Sequence, residues 1–236
     1  DAFGLGTEVD TLPARHRQRC THFLSWVWRY PVLLVREALQ IWTEGEGLDP
    51  NKTFLFMCFF VNNQFRILIE GVQAGADDLE TTFEQNLRRI GRVVALLDHW
   101  QEPLYLSRIW TIYEQYMAAR LQLPVTVILN QEAGESLVAE LDRGRDGVVH
   151  ITDILCNVRS EMAEASVKSD EEHVKAMIRS TVGFAYVDQR VRYCMVDWVA
   201  SVLQRHMDHI IDLTRARDSA PPRQALVQRL SCVQLQ

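Results

Sequence analysis

Apolar residues in the first 130 positions alternate between short dense runs and longer sets at helical spacing. The run "CTHFLSWVW" (20–28) is aromatic, β-favouring and short enough for a strand. Pro31 suits the first turn of a helix, and "VLLVREALQIW" carries Leu34, Ala38 and Ile41 on one face. "EGEGLDPN" reads as a loop. "KTFLFMCFFV" (52–61) is apolar on both faces, as in a central strand covered by helices on each side. Asp77 and Glu80 suit a capping box for a helix with Leu79, Phe83, Leu87 and Ile90 inward. Gly91 is placed to end it. "RVVALLD" (92–98) is another buried strand. A helix over 106–121 follows, then Pro124 and the strand "VTVILN" (125–130).

The order β-α-β-α-β-α-β predicts a parallel sheet with helices on both faces. Ligands in such sheets bind beyond the carboxyl ends of the strands, where strand order reverses. Those ends carry Trp26 and Trp28, then Asn62, Asn63 and Gln64, then Asp98 and His99. Beyond residue 130 the pattern becomes mainly helical. "QEAGESLVAELDRGRDG" reads as a short helix and a turn, and "VVHITDILCNV" as a strand. A helix capped by Ser169 or Asp170 is expected to end at Gly183. A long helix over 189–214 is expected to turn Val191, Met195, Trp198, Val199, Leu203 and Met207 inward. The chain thus divides into an N-terminal segment (1–17), an α/β domain (18–130), a mostly helical extension packed on the core (131–215) and a tail (216–236).

Composition narrows the function. The net charge of −6 removes the global basic footprint of a nucleic-acid binder. No apolar run approaches the roughly 20 residues of a membrane-spanning helix. Five scattered cysteines without a CxxC pair suit a reducing compartment. The chain begins at Asp1, so it reads as a fragment or as a form left after leader removal. The expected location is intracellular, cytoplasmic or organellar.

One residue stands out chemically. Trp110, Glu114 and Ala118 share a helix face at i, i+4, i+8, and Ile109, Ile112, Tyr113, Tyr116 and Met117 cover much of the rest. Burying a carboxylate costs several kcal/mol unless it is paired or hydrogen-bonded. Glu114 is then either a structural acid, bonded to a backbone NH or to an arginine such as Arg108, or an acid kept at the rim of a cleft.

The run "RVVALLDHWQEPLYLSRIWTIYEQYMAARLQLPVTVILN" resembles the second half of a Toll/interleukin-1 receptor (TIR) domain: an apolar strand, a loop, a W-x-x-x-E helix and a strand after a proline. Here the motif is Trp110-Thr111-Ile112-Tyr113-Glu114. "THFLSWVW" and "FLFMCFFVNNQ" stand where that family has its first and second strands, so the resemblance covers about residues 18–130. The stretch is also similar to the fungal heterokaryon-incompatibility (HET) domain, through the pair Asn63-Gln64 and the helix Arg108-Ile109-Trp110…Glu114. TIR-like domains of protist proteins carry S-H-x-W after the first strand; this chain has "SWVW", without the histidine. The resemblance implies an α/β, flavodoxin-like, TIR-like parallel sheet with helices on both faces and a mainly helical C-terminal extension.

It also implies a role for Glu114. In enzymatic TIR domains this helix glutamate is required to cleave the nicotinamide–ribose bond of NAD. Such a cleavage builds positive charge on the ribose, which a nearby anion stabilises. Trp26 or Trp110 would stack on a ring, Asn62 and Asn63 would bond the sugar or amide, and Asp98 is the second carboxylate at the same rim. Each also has a plain reading as a core aromatic or a turn-forming residue. NAD enters as a possible substrate, and no cofactor is required. His206, His209 and Asp212 have the spacing of a metal site but read better as a solvated helix face. No phosphate loop, GxGxxG or nucleophile elbow occurs. Two functions follow: an NAD-cleaving or nucleotide-binding signalling domain, or a non-catalytic scaffold that self-associates or joins a larger protein complex.

Overall fold

The computed structural model describes residues 12–58, 79–215 and 232–235. Strand β1 (His22–Ser25) is followed by α1 (Val32–Gly45), β2 (Leu55–Phe56), α2 (Leu79–Ile90) and β3 (Val93–Leu97). A 3-10 turn (Leu104–Ser107) leads into α3 (Ile109–Arg120) and β4 (Val125–Leu129). Then come α4 (Gln131–Leu141), α5 (Arg145–Leu155), α6 (Lys168–Thr181), the 32-residue α7 (Phe184–Arg215) and β5 (Cys232–Leu235).

The sheet order is β2-β1-β3-β4-β5. The first four strands are parallel, as in flavodoxin-like folds. β5 lies antiparallel on β4, so residues expected to form a plain tail supply an edge strand. Strand alternation separates two cores. Phe23, Val93, Ala95, Leu97, Val125, Val127 and Leu129 join the larger cluster, which continues into α3, α6 and α7 through Ile109, Ile178, Val191 and Trp198. Leu24, Val94, Leu96 and Ile128 face α1, with Ala38 and Trp42. Residues beyond 130 therefore share one continuous core with the sheet.

Several expectations need correction. The "KTFLFMCFFV" segment is not a central strand: β2 is two residues long, half-buried and at the sheet edge. Its last three residues lie outside the described ones, as do Asp77 and the Glu80 side chain of the expected capping box. "VVHITDILCNV" falls in α5, not in a strand. Its β-branched residues mask a helical period, with Ile151 and Leu155 buried one turn apart. Neither Ser169 nor Asp170 caps α6. The helix starts at Lys168, with Val167 at the cap position and no side-chain bond. Asp170 and Glu171 sit in its first turn, where the helix dipole favours acids. α7 starts at Phe184, ahead of the expected 189. Met207 faces outward at 45% exposure, while His206 and His209 are buried, which reverses the expected solvated histidine face. Gly91 and Gly183 do stop their helices, each with φ near +77°.

Gly147, on the buried side of α5, is a close-approach glycine. A Cβ there would overlap the Glu140 carbonyl of α4, meeting its carbon at 2.8 Å. Gly147→Ala must push the two helices apart, and overpacking of this kind costs about 1–3 kcal/mol. A urea midpoint measurement should show that loss.

Candidate functional site

Parity places the first residue. Ser25 follows Phe23 by two along β1, so its hydroxyl points to the same face, towards α3. It is the last residue of β1 and is fully buried. Strand order reverses here, because the chain leaves β1 for β2 on one side and returns to β3 on the other. This is the switch point of the sheet.

Glu114 approaches from α3. Its carboxyl accepts a hydrogen bond from Ser25 Oγ. The Tyr105 hydroxyl, from the 3-10 turn, lies 2.5 Å from the same Ser25 oxygen. Thr111 Oγ1 donates to the Tyr105 carbonyl, and at 3.0 Å to that of Arg108, fastening the turn to the first turn of α3. Glu114 as a whole is half-buried, but its carboxyl is densely enclosed by protein. Burial pushes its pKa up to about 8, against a smaller lowering by the Ser25 bond. Tyr105 is fully buried and its pKa is raised, by burial first and then by Glu114.

Among the described residues no arginine pairs with Glu114. Arg108 donates to Ser166 Oγ at 2.6 Å and bridges to the strand-like stretch at Glu164. Its neighbour Ile109 bonds the Glu164 carbonyl through its backbone NH at 3.1 Å. The helical extension thus anchors the start of the helix that carries Glu114. Further along α3, Tyr113 bonds the Met177 sulfur at 3.5 Å, and Arg190 bonds the Ala119 carbonyl at 3.3 Å.

The other sequence candidates separate. Asp98, buried at the end of β3, accepts bonds from Tyr30 OH at 3.2 Å and from the Leu104 NH at 3.1 Å. It ties the strand end to the 3-10 turn and to the lead into α1. Trp26 packs with the α1-side cluster, whereas Trp110 packs with the α3-side cluster. The Trp26 indole NH is buried with no hydrogen-bond partner among the described residues. Asn62 and Asn63 lie outside the described residues.

Ser25 and Tyr105 were missed from the sequence, and so was Gln115. Gln115 is fully buried beside Tyr105, close enough to favour the ionised tyrosine. Yet neither of its polar atoms makes a bond of hydrogen-bond geometry with the described residues. The legible signal was a serine at core parity inside "HFLSW" and a glutamine inside an apolar helix.

Among the described residues no group of three or more His, Cys, Asp or Glu is placed to hold a metal, and no helix is long and apolar enough to cross a membrane. His206 Nε2 lies 3.4 Å from Asp142, and burial lowers its pKa. No family model, curated protein or solved structure matches this chain.

Proposed function

We propose that the carboxyl ends of β1 and β3 take a nucleotide, with Glu114 as the working carboxyl and the nicotinamide–ribose bond of NAD as the bond it cleaves. The observation that carries this reading is a buried carboxyl held by Ser25 at the switch point of the sheet, with no cation paired to it among the described residues. A merely structural acid at this depth is ordinarily matched by a cation or several NH donors, and among the described residues Glu114 is bonded by one hydroxyl. The TIR resemblance selects the same residue.

The chemistry is suited to a carboxylate. As the C1′–N bond of NAD breaks, nicotinamide leaves as a neutral base and positive charge develops on the ribose. Ionised Glu114 stabilises that charge. Water then adds to C1′ and gives up one proton, leaving ADP-ribose and nicotinamide. Enzymes of the TIR family work as assemblies, so the test is nicotinamide release by concentrated protein, with and without a crowding agent. Absence of turnover in every assembled state would remove this reading.

A second reading, the scaffold, has its own observation. The outer face of α7 exposes Tyr186, Tyr193, Val196 and Met207 at 47%, 55%, 40% and 45%. Exposed apolar side chains of this kind along one helix suit an interface. Self-association through it predicts that Tyr193→Glu with Val196→Glu lowers the mass measured by light scattering. A wild-type monomer at high concentration contradicts it.

A further inference from the structure

Resting on the nucleotide-site reading, we propose that Ser25 is the positioning residue of the site: the hinge of a reversible hydrogen-bond chain, Gln115–Tyr105–Ser25–Glu114, that aims the Glu114 carboxyl and sets whether it is charged. The Tyr105–Ser25–Glu114 contacts admit both directions of donation, and Gln115 stands beside Tyr105 at the far end. With Glu114 ionised, Tyr105 donates to Ser25 and Ser25 donates to the carboxylate. With Glu114 protonated, the acid donates to Ser25, Ser25 donates to Tyr105, and the tyrosine proton is free to turn to the Gln115 oxygen. Only hydroxyl rotations separate the two arrangements, and the one proton exchanged goes to water.

Three observations support this beyond the Ser25 bond itself. Ser25 and Tyr105 are both fully buried, so their hydroxyls have no water to turn to. Ser25 pairs with Ala95 of β3 at the end of β1, which holds its backbone on that side. Gln115 keeps unmet polar atoms beside Tyr105, which a chain with two settings requires at its far end. Buried polar groups otherwise find partners.

No other described group competes for Glu114. Asp98, from the end of β3, is engaged with Tyr30 and the Leu104 NH. From α7, Cys194 acts on Tyr105, and Arg190 holds the Ala119 carbonyl. From α6, Lys175 is paired with Glu171. From α2, Glu84 is paired with Arg88 and Arg120. Burial and the Ser25 bond are the influences on Glu114 itself.

The test is a carboxyl titration of the full chain labelled with 13C-glutamate, with the Glu114 signal identified by its loss in Glu114→Gln. The wild-type midpoint is expected near 8. Ser25→Ala removes the bond that favours the anion and should move the midpoint at least about one pH unit to the alkaline side. Ser25→Thr keeps a hydroxyl and should restore it. Tyr105→Phe should move it the same way by less, and it serves if Ser25→Ala does not fold. The pH profile of NAD cleavage should shift with the midpoint, which a purely structural serine would not cause. An unmoved midpoint in folded Ser25→Ala, or in Tyr105→Phe if that is the variant that folds, overturns the proposal. A shifted midpoint in a chain that never cleaves NAD keeps Ser25 as the positioning residue and removes the activity instead.

Discussion

Glu114→Gln is expected to lower nicotinamide release from NAD by about 10²–10³-fold, the usual effect of removing one electrostatic stabiliser of a transition state. Glutamine keeps the shape and can still bond Ser25, so the substitution removes charge and little else. The loss should fall on kcat more than on KM, because the anion matters most once positive charge has developed on the ribose. Unchanged turnover in this variant would show that Glu114 does not act on the substrate.

The same substitution should stabilise the fold. Glu114 titrates near 8 in the folded chain against an ordinary value of 4.5. The native state therefore holds its proton where the unfolded chain has lost it. The contribution is fully present below pH 4.5, declines as the unfolded chain ionises, and is lost as pH rises through 8. By pH 7 the loss amounts to about 3 kcal/mol. Glu114→Gln keeps a neutral group at every pH, so it should match the wild type near pH 4 and exceed it by about that amount at pH 7. Urea midpoints at the two pH values check this. A parallel pair of stability curves would mean that Glu114 is not held neutral. Opposite effects on activity and stability are the mark of a site that stores destabilisation for function.

The parts of this chain that were legible in sequence are those where one rule acts alone. "RVVALLD" has no polar position and forms the fully buried β3. Gly91 and Gly183 stop helices because each takes a left-handed backbone conformation. The W-x-x-x-E spacing put Glu114 on a packed helix. Legibility failed where tertiary context decides. The apolar density of "FLFM" suggested a central strand, yet strand order put it at the edge. The β-branched residues of α5 suggested a strand, yet the space between α4 and α7 selects its helical face. Residues 232–235 carry no strong pattern, and their pairing with β4 is a long-range event.

The site was half legible for the same reason. Glu114 announces itself as an acid in an apolar helix. Its partners come from positions 25 and 105, one on β1 and the other in a short turn, and only the fold joins them. Ser25 is a small polar residue in a strand and reads as filler until its parity is set beside Phe23. Asp98 was readable as a turn residue, and its bonds to Tyr30 and Leu104 make it an anchor of the loop beside the site. Trp26 and Trp110, the two candidates for stacking on a ring, belong to the two different cores.

The most direct measurement is nicotinamide release from NAD by concentrated protein across pH 6 to 9.5, run beside Glu114→Gln. A carboxylate that must ionise predicts kcat/KM rising about tenfold per pH unit up to pH 8 and levelling above it, with Glu114→Gln flat and near background. Release that ignores pH, or that survives the substitution, contradicts the account.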